Sequence, residues 1–309
     1  MLPLPSPTAL LSLRALLSGF AQIFLQQHPG CGLLVLIAIL IGAPELLPGA
    51  LLGGLTSMLV AQRRGYPSAD IAIGLYGYNG ILLGLLLSLK LPWTALLPVL
   101  IMASAALSSL LLAPWMRRMR KHGWLPAFTF PFVLLGWLLL ALVTQLQLPL
   151  ATPTSAPGTP GTPGTPELNF LQLMLAVLRG LGQVIFLDSP LAGLCLLIGL
   201  RLADGRTALW ALLGSSCGSA LALFYGWPSH GALAGLYGYN ATLAAIALAQ
   251  THRCPLLPAL GILLALLLQP GFSAIGLPAL TMPFILACWL IRAGAQSWQR
   301  AVRDSTPTG

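Results

Sequence analysis

The chain is short of charge, and above all short of acid. Of its 309 residues only Glu45, Asp70, Glu167, Asp188, Asp204 and Asp304 are acidic, and charged residues make up 7% against 57% apolar. Soluble domains carry about 25% charged residues, so this sequence cannot cover a globule with a water-compatible surface. A mean hydropathy of +0.88 agrees, and the chain reads as an integral membrane protein. So few carboxylates argue against metal clusters, paired-carboxylate catalysis and proton or sodium coupling, all of which need oxygen anions. The net charge of +9 does not indicate nucleic acid, because the basic residues sit between apolar stretches rather than in one stripe. Metal spacing is missing as well. Cys31, Cys195, Cys217, Cys254 and Cys288 include no CxxC, and most lie in or near apolar segments, where cysteine acts as a small hydrophobe. No Ser-His-Asp order, phosphate loop or HExxH is found, so no enzyme and no cofactor are expected. The opening residues lack the basic start and cleavage site of a secretory signal and read as a short cytoplasmic tail.

What is present is a duplication. Residues 149–166, PLATPTSAPGTPGTPGTP, form a Pro/Gly/Thr linker that can build neither helix nor core. It separates a first membrane repeat (1–148) from a second (167–292), with a cytoplasmic tail at 293–309. An offset of 161 lays Gly19-Phe20-Ala21-Gln22-Ile23 on Gly180-Leu181-Gly182-Gln183-Val184, and Pro29 on Pro190. The same offset lays Gly74-Leu75-Tyr76-Gly77-Tyr78-Asn79 on Gly235-Leu236-Tyr237-Gly238-Tyr239-Asn240 without a gap. Further on the offset shortens to 152, where Leu125-Pro126-Ala127-Phe128-Thr129-Phe130-Pro131-Phe132 meets Leu277-Pro278-Ala279-Leu280-Thr281-Met282-Pro283-Phe284. An apolar chain matches itself by chance in Leu and Ala, but not in these polar and turn-forming residues in the same order. The histidines His28, His122, His230 and His252 do not pair across the repeat, which leaves a histidine-lined ammonium pore unsupported.

Hydropathy places first-half spans at roughly 9–26, 49–62, 69–89, 93–113 and 125–147, with a short stretch near 28–42. The second half gives roughly 168–187, 207–225, 231–250, 255–269 and 276–292, with a short stretch near 190–201. With five crossings and one re-entrant piece per half, and the amino terminus inside, most arginines face the cytoplasm. Lys90 and Arg179 do not fit that scheme. An odd number of crossings makes the two halves inverted, and such folds hold their site near the midplane, at discontinuous helices. The expected fold is therefore an all-α membrane protein of two inverted repeats around a central pore.

Four pairs of features could line such a pore. Pro126 and Pro278 suit a first helical turn; Pro131 and Pro283 would then free the carbonyls of Ala127 and Ala279, beside the hydroxyls of Thr129 and Thr281. The alternative is a kink with a back-bonded threonine. Gln22 and Gln183 are costly in an apolar helix unless bonded, and serve either a helix-to-helix bond or a lumen. Tyr78 and Tyr239, each with a leucine one turn on (Leu82, Leu243), make flat apolar patches that either pack the bundle or wall a slit. Asn79 and Asn240 are expected to cap or brace a broken helix. Gly49-x-x-x-Gly53 and Gly214-x-x-x-Gly218 allow close helix contact, within a protomer or between protomers.

At these residues the chain resembles the urea transporter family. The resemblance is carried by Gly180-Leu181-Gly182-Gln183-Val184 running on to Asp188-Ser189-Pro190, by both Leu-Tyr-Gly-Tyr-Asn segments and by both Leu-Pro-x-x-Thr motifs. It implies passive, channel-like conduction of urea through each protomer of a homotrimer in the lipid bilayer. It further implies oxygen acceptors at Gln22, Gln183, Thr129 and Thr281, with a slot of Ile23, Tyr78, Leu82, Val184, Tyr239 and Leu243. Some relatives carry phenylalanine at the two tyrosines, or glutamate for a glutamine. A channel for other small neutral solutes, such as short amides, ammonia or water, is the alternative, and a bacterial inner membrane is the expected location.

Overall fold

A computed structural model describes residues 7–123, 125–151 and 169–305; most of the expected linker lies outside them. No strand occurs among the described residues. The first half contributes α1 (Pro7–Gln22), α2 (Pro29–Gly42), α3 (Leu47–Arg63), α4 (Ser68–Ala72), α5 (Tyr78–Lys90), α6 (Leu96–His122) and α7 (Phe130–Gln145). The second contributes α8 (Phe170–Gly182), α9 (Pro190–Ala203), α10 (Gly205–Phe224), α11 (Ser229–Leu233), α12 (Tyr239–Thr251), α13 (Leu256–Ala274) and α14 (Met282–Ser305). The elements pair in order. Helices α2 and α9 are both 14 residues, α4 and α11 both 5, α5 and α12 both 13, each pair starting at matched positions of the repeat.

Backbone strain repeats along with the helices. Left-handed φ angles occur at Leu25 (59°) and Phe186 (63°), and again at Phe128 (44°) and Leu280 (43°). Such a conformation is uncommon for bulky non-glycine residues and persists only where the surroundings over-determine it. These four residues follow the Gln-Ile/Val pairs or immediately precede the threonines.

The protein is a multi-pass membrane protein. Residues Pro44–Arg63, Leu96–His122, Gly205–Phe224 and Leu256–Ala274 are long and apolar enough to cross alone, and Phe170–Ile185 with Pro190–Ala203 passes the same test while bent by 77°. Leucines at 138, 209, 263 and 267 face outward, as lipid contact requires. The expected spans at 69–89 and 231–250 are each broken, because a glycine turn at Gly74 or Gly235 separates a one-turn helix from the longer one that starts at the tyrosine.

Two expectations are corrected. Pro126 and Pro278 are not in helices: the backbone stays non-helical to Thr129 and Thr281, and Pro131 and Pro283 occupy the first helical turns instead. Proline there loses no hydrogen bond, so no carbonyl is freed; those of Ala127 and Ala279 accept the amides of Phe130 and Met282, both at 3.0 Å. The last helix also runs well past the expected span end at 292, to Ser305.

The glycine pairs work within the chain. A Cβ on Gly53 would overlap the Gly80 carbonyl, and one on Gly218 would overlap the Gly238 backbone, so α3 meets α5 and α10 meets α12 with almost no side chain between them. The two halves join where α2 packs on α9, and one apolar core runs through both. Arg179, out of step with the arginine pattern, is partly neutralised by Asp188 at 3.3 Å and also donates to the Leu233 carbonyl.

Asp204 caps α10 through the amide of Thr207 (2.8 Å) and its hydroxyl (2.7 Å). These bonds hold its carboxyl below the usual range, the Thr207 hydroxyl contributing most. Because the folded-state pKa is depressed, the cap's stabilisation is present above pH about 4 and is lost as pH falls through the lowered folded value. We expect Asp204→Ala to cost about 1 kcal/mol at neutral pH, and less at low pH, as read by thermal unfolding in detergent.

Candidate functional site

The two Leu-Pro-x-x-Thr segments meet face to face. The hydroxyls of Thr129 and Thr281 are 2.7 Å apart and both residues are buried, at 2% and 4% exposure. Each stands at the amino terminus of a helix, α7 or α14. A threonine in that position ordinarily caps its own helix. Thr129 makes no such bond, because an asparagine from another helix takes over the task. Asn79 Oδ1 accepts the Phe132 amide at 3.1 Å, and Asn240 Oδ1 accepts the Phe284 amide at 3.3 Å. The asparagines thus brace the helix starts, as expected, and in doing so leave the threonine hydroxyls available.

The rest of each motif is fixed by bonds across the repeat. Trp137 Nε1 donates to the Pro278 carbonyl and Trp289 Nε1 to the Pro126 carbonyl, both at 2.8 Å. Each half therefore holds the other's strained segment. Phe128 and Phe284 add a tilted ring contact at 4.9 Å across the same seam. The Phe128 carbonyl accepts the Tyr78 hydroxyl, whereas the Leu280 carbonyl accepts Asn240 Nδ2 at 3.1 Å. The tryptophans were missed in the sequence, although Trp137 and Trp289 match at the offset of 152 and were legible there.

Gln22 and Gln183 behave as a pair. Nε2 of Gln22 donates to the Ile73 carbonyl at 3.0 Å and Nε2 of Gln183 to the Ala234 carbonyl at 2.9 Å, again matched positions. With one N–H of each amide committed, the amide oxygen and the second N–H remain for a guest. Ile73 and Ala234 directly precede Gly74 and Gly235, whose left-handed turns aim those carbonyls.

Ile23, Tyr78, Leu82, Val184 and Leu243 are all at most 4% exposed and belong to one core cluster, against which Tyr239 packs. Ala127 is buried in that cluster, while Ala279 is half-buried and outside it. A cavity of about 320 Å³ lies between the end of α12 and the middle of α14; it is lined by Pro126, Phe128, Thr251, His252, Cys288 and Arg292 among others. Its lining includes Phe128, the residue before Thr129.

This arrangement has a definite chemistry. Two helix amino termini converge on one buried pair of hydroxyls, and such termini carry partial positive charge. No acidic side chain is among the residues that line the cavity. The point therefore suits an oxygen acceptor and disfavours cations. Of two hydroxyls sharing one hydrogen bond, one proton and about three lone pairs remain for a ligand.

Comparison with known proteins accords with this. The family model described as urea transporter matches residues 13–296. The chain is 30% identical over 309 residues to urea transporter 1 of Ovis aries and of Capra hircus, and 30% identical over 316 residues to that of Mus musculus. Each alignment covers 92% of this chain and 77% of the relative. With the family model spanning nearly all the described helices, and the doubled threonine and glutamine motifs held in matched geometry, the chain belongs to the urea transporter family.

Proposed function

We infer that the protein conducts urea passively across the membrane, through a narrow slot formed where two inverted repeats of one chain meet. The hydrogen bond between Thr129 and Thr281 carries this reading, because it sets polar atoms from both halves at one buried point between helix starts. Urea is neutral and planar, with four N–H donors and one carbonyl acceptor. In a dry passage each hydrogen bond not replaced costs a few kcal/mol. The Thr129 and Thr281 oxygens, with the amide oxygens of Gln22 and Gln183, replace the water bound to its N–H groups. The free threonine proton, aided by the two helix termini, serves its carbonyl. Ile23, Tyr78, Leu82, Val184, Tyr239 and Leu243 wall the slot; flat apolar walls admit a thin solute and refuse a hydrated ion. Conduction further requires that binding stay weak enough for release, and no group here couples flux to an energy source.

The slot uses residues of one chain only, so each protomer of the proposed homotrimer is a complete pore, with the lipid bilayer as its other partner. The reading gives the protein no catalytic role. Its location in a bacterial inner membrane belongs to the same proposal.

Rapid-mixing flux into proteoliposomes tests the reading. Urea is expected to equilibrate well above the bare-lipid rate, with thiourea and acetamide slower and glycerol near background. Glycerol as fast as urea, or urea no faster than through bare lipid, overturns it. Ammonia or water passing at high rate while urea does not would favour the small-solute alternative.

A further inference from the structure

A second cavity, of about 240 Å³, lies away from the slot, where the loop after α3 meets the end of α6. Its lining includes Arg64, Tyr66, Asp70, Tyr76, Arg117 and Arg120. Asp70 is 7% exposed; its Oδ1 pairs with Arg120 at 2.7 Å, while its Oδ2 is buried with no partner. A buried carboxylate oxygen left unbonded is expensive and marks a place where a donor is missing. Arg64 and Arg117 are in no ion pair among the described residues, so the cavity also offers two guanidinium groups.

The duplication supplies an internal control. In the second half the same backbone recurs: Gly226 repeats the left-handed turn of Gly65 (66° against 64°), and the Trp227–Tyr237 ring pair at 5.0 Å repeats Tyr66–Tyr76 at 4.9 Å. There, however, Tyr225 stands for Arg64 and Gly231 for Asp70, and the end of α13, from Gln269 to Ala274, carries no charge. The fold therefore does not require the charged groups. The preference of Lys and Arg for the cytoplasmic side accounts for arginines on a surface, but not for a cavity among them or for a buried acid that fixes one of them.

We propose that this cavity binds a glycerophosphate group, with the phosphate oxyanion on Arg64 and Arg117 and a glycerol hydroxyl donating to Asp70 Oδ2. Arginine suits phosphate through its planar fork of donors, and basic pockets between membrane helices bind lipid headgroups. The volume, on the order of eight waters, takes a headgroup without its acyl chains. Leu55 and Leu59 on α3 and Leu107 on α6 are exposed along the adjoining helices, which gives such chains an apolar wall. The same chemistry is offered by phosphatidylglycerol and by free glycerol 3-phosphate.

Retention of lipid on the purified full chain, read by native mass spectrometry, tests this. Phosphatidylglycerol is expected to be retained over phosphatidylcholine and over phosphatidylmethanol, which has the anion but no hydroxyl. Arg64→Gln with Arg117→Gln should weaken that retention about 10- to 30-fold, while the surface pair Arg201→Gln with Arg253→Gln leaves it unchanged. Displacement of the lipid by free glycerol 3-phosphate would support the site and add a soluble ligand; retention in its presence would support it and make the lipid the source. Equal retention of the three lipids, or equal loss in both double variants, overturns the proposal. None of these four arginines lines the slot, so urea flux in both variants reports independently on the fold.

Discussion

Valine at both 129 and 281 is expected to slow urea flux by about 30- to 150-fold, at about 1–1.5 kcal/mol for each hydrogen bond withdrawn from the guest. Each single variant should lose about 5- to 12-fold. Stability should follow a different order. The two hydroxyls bond to each other in a buried place, so removing one orphans the other. Replacing both by a group of the same shape leaves nothing unpaired. Thr129→Val and Thr281→Val are thus each expected to unfold more readily than the double variant, while the double variant conducts least. Thermal unfolding and proteoliposome flux measured on the same preparations check this. Unchanged flux in the double variant would place those hydroxyls among structural groups, whatever the stability.

Alanine at Gly74 is expected to be the most damaging small substitution at the site. Gly74 has φ +76°, and a Cβ there would overlap the Gly19 amide nitrogen of α1. The left-handed backbone costs about 1–2 kcal/mol and the overlap about 1–3 kcal/mol more. Gly65 separates the two terms, because its φ is +64° and nothing lies within 4 Å of an added Cβ. Gly65→Ala should therefore show the backbone cost alone. The Gly74 variant should also conduct poorly in whatever fraction folds, since the Ile73 carbonyl that orients Gln22 is the adjoining group. Equal stability of the two alanine variants would show that α1 yields at the contact without cost.

The duplication and most of the candidate site were legible because in an apolar chain every polar residue is informative. Gln22, Thr129, Asn79 and their counterparts stand out for that reason, and all three pairs occupy matched, bonded positions, with the threonines bonded to each other across the seam. Helix starts were not legible in the same way. Pro126 and Pro131 are both acceptable in a first turn, and the choice between them follows from the left-handed Phe128, a conformation that no residue type announces. The tryptophan bonds to Pro126 and Pro278 were visible only as a repeated letter, since a donor's target depends on which segment the other half brings near. Asp70 gave no local sign at all: its partner Arg120 is fifty residues away.

By itself the sequence determined the solvent, the doubling and the chemical classes available. These depend on composition and on order along the chain, which transfer free energies and a repeat offset read directly. Tertiary structure alone decided which of two prolines starts each helix, that α3 and α10 use their glycines inside the chain, and that two threonines bond to each other instead of capping their own helices. Those outcomes turn on the few ångströms separating segments distant in sequence, where steric exclusion and the need to satisfy every buried polar group select one arrangement among several that local propensity permits equally.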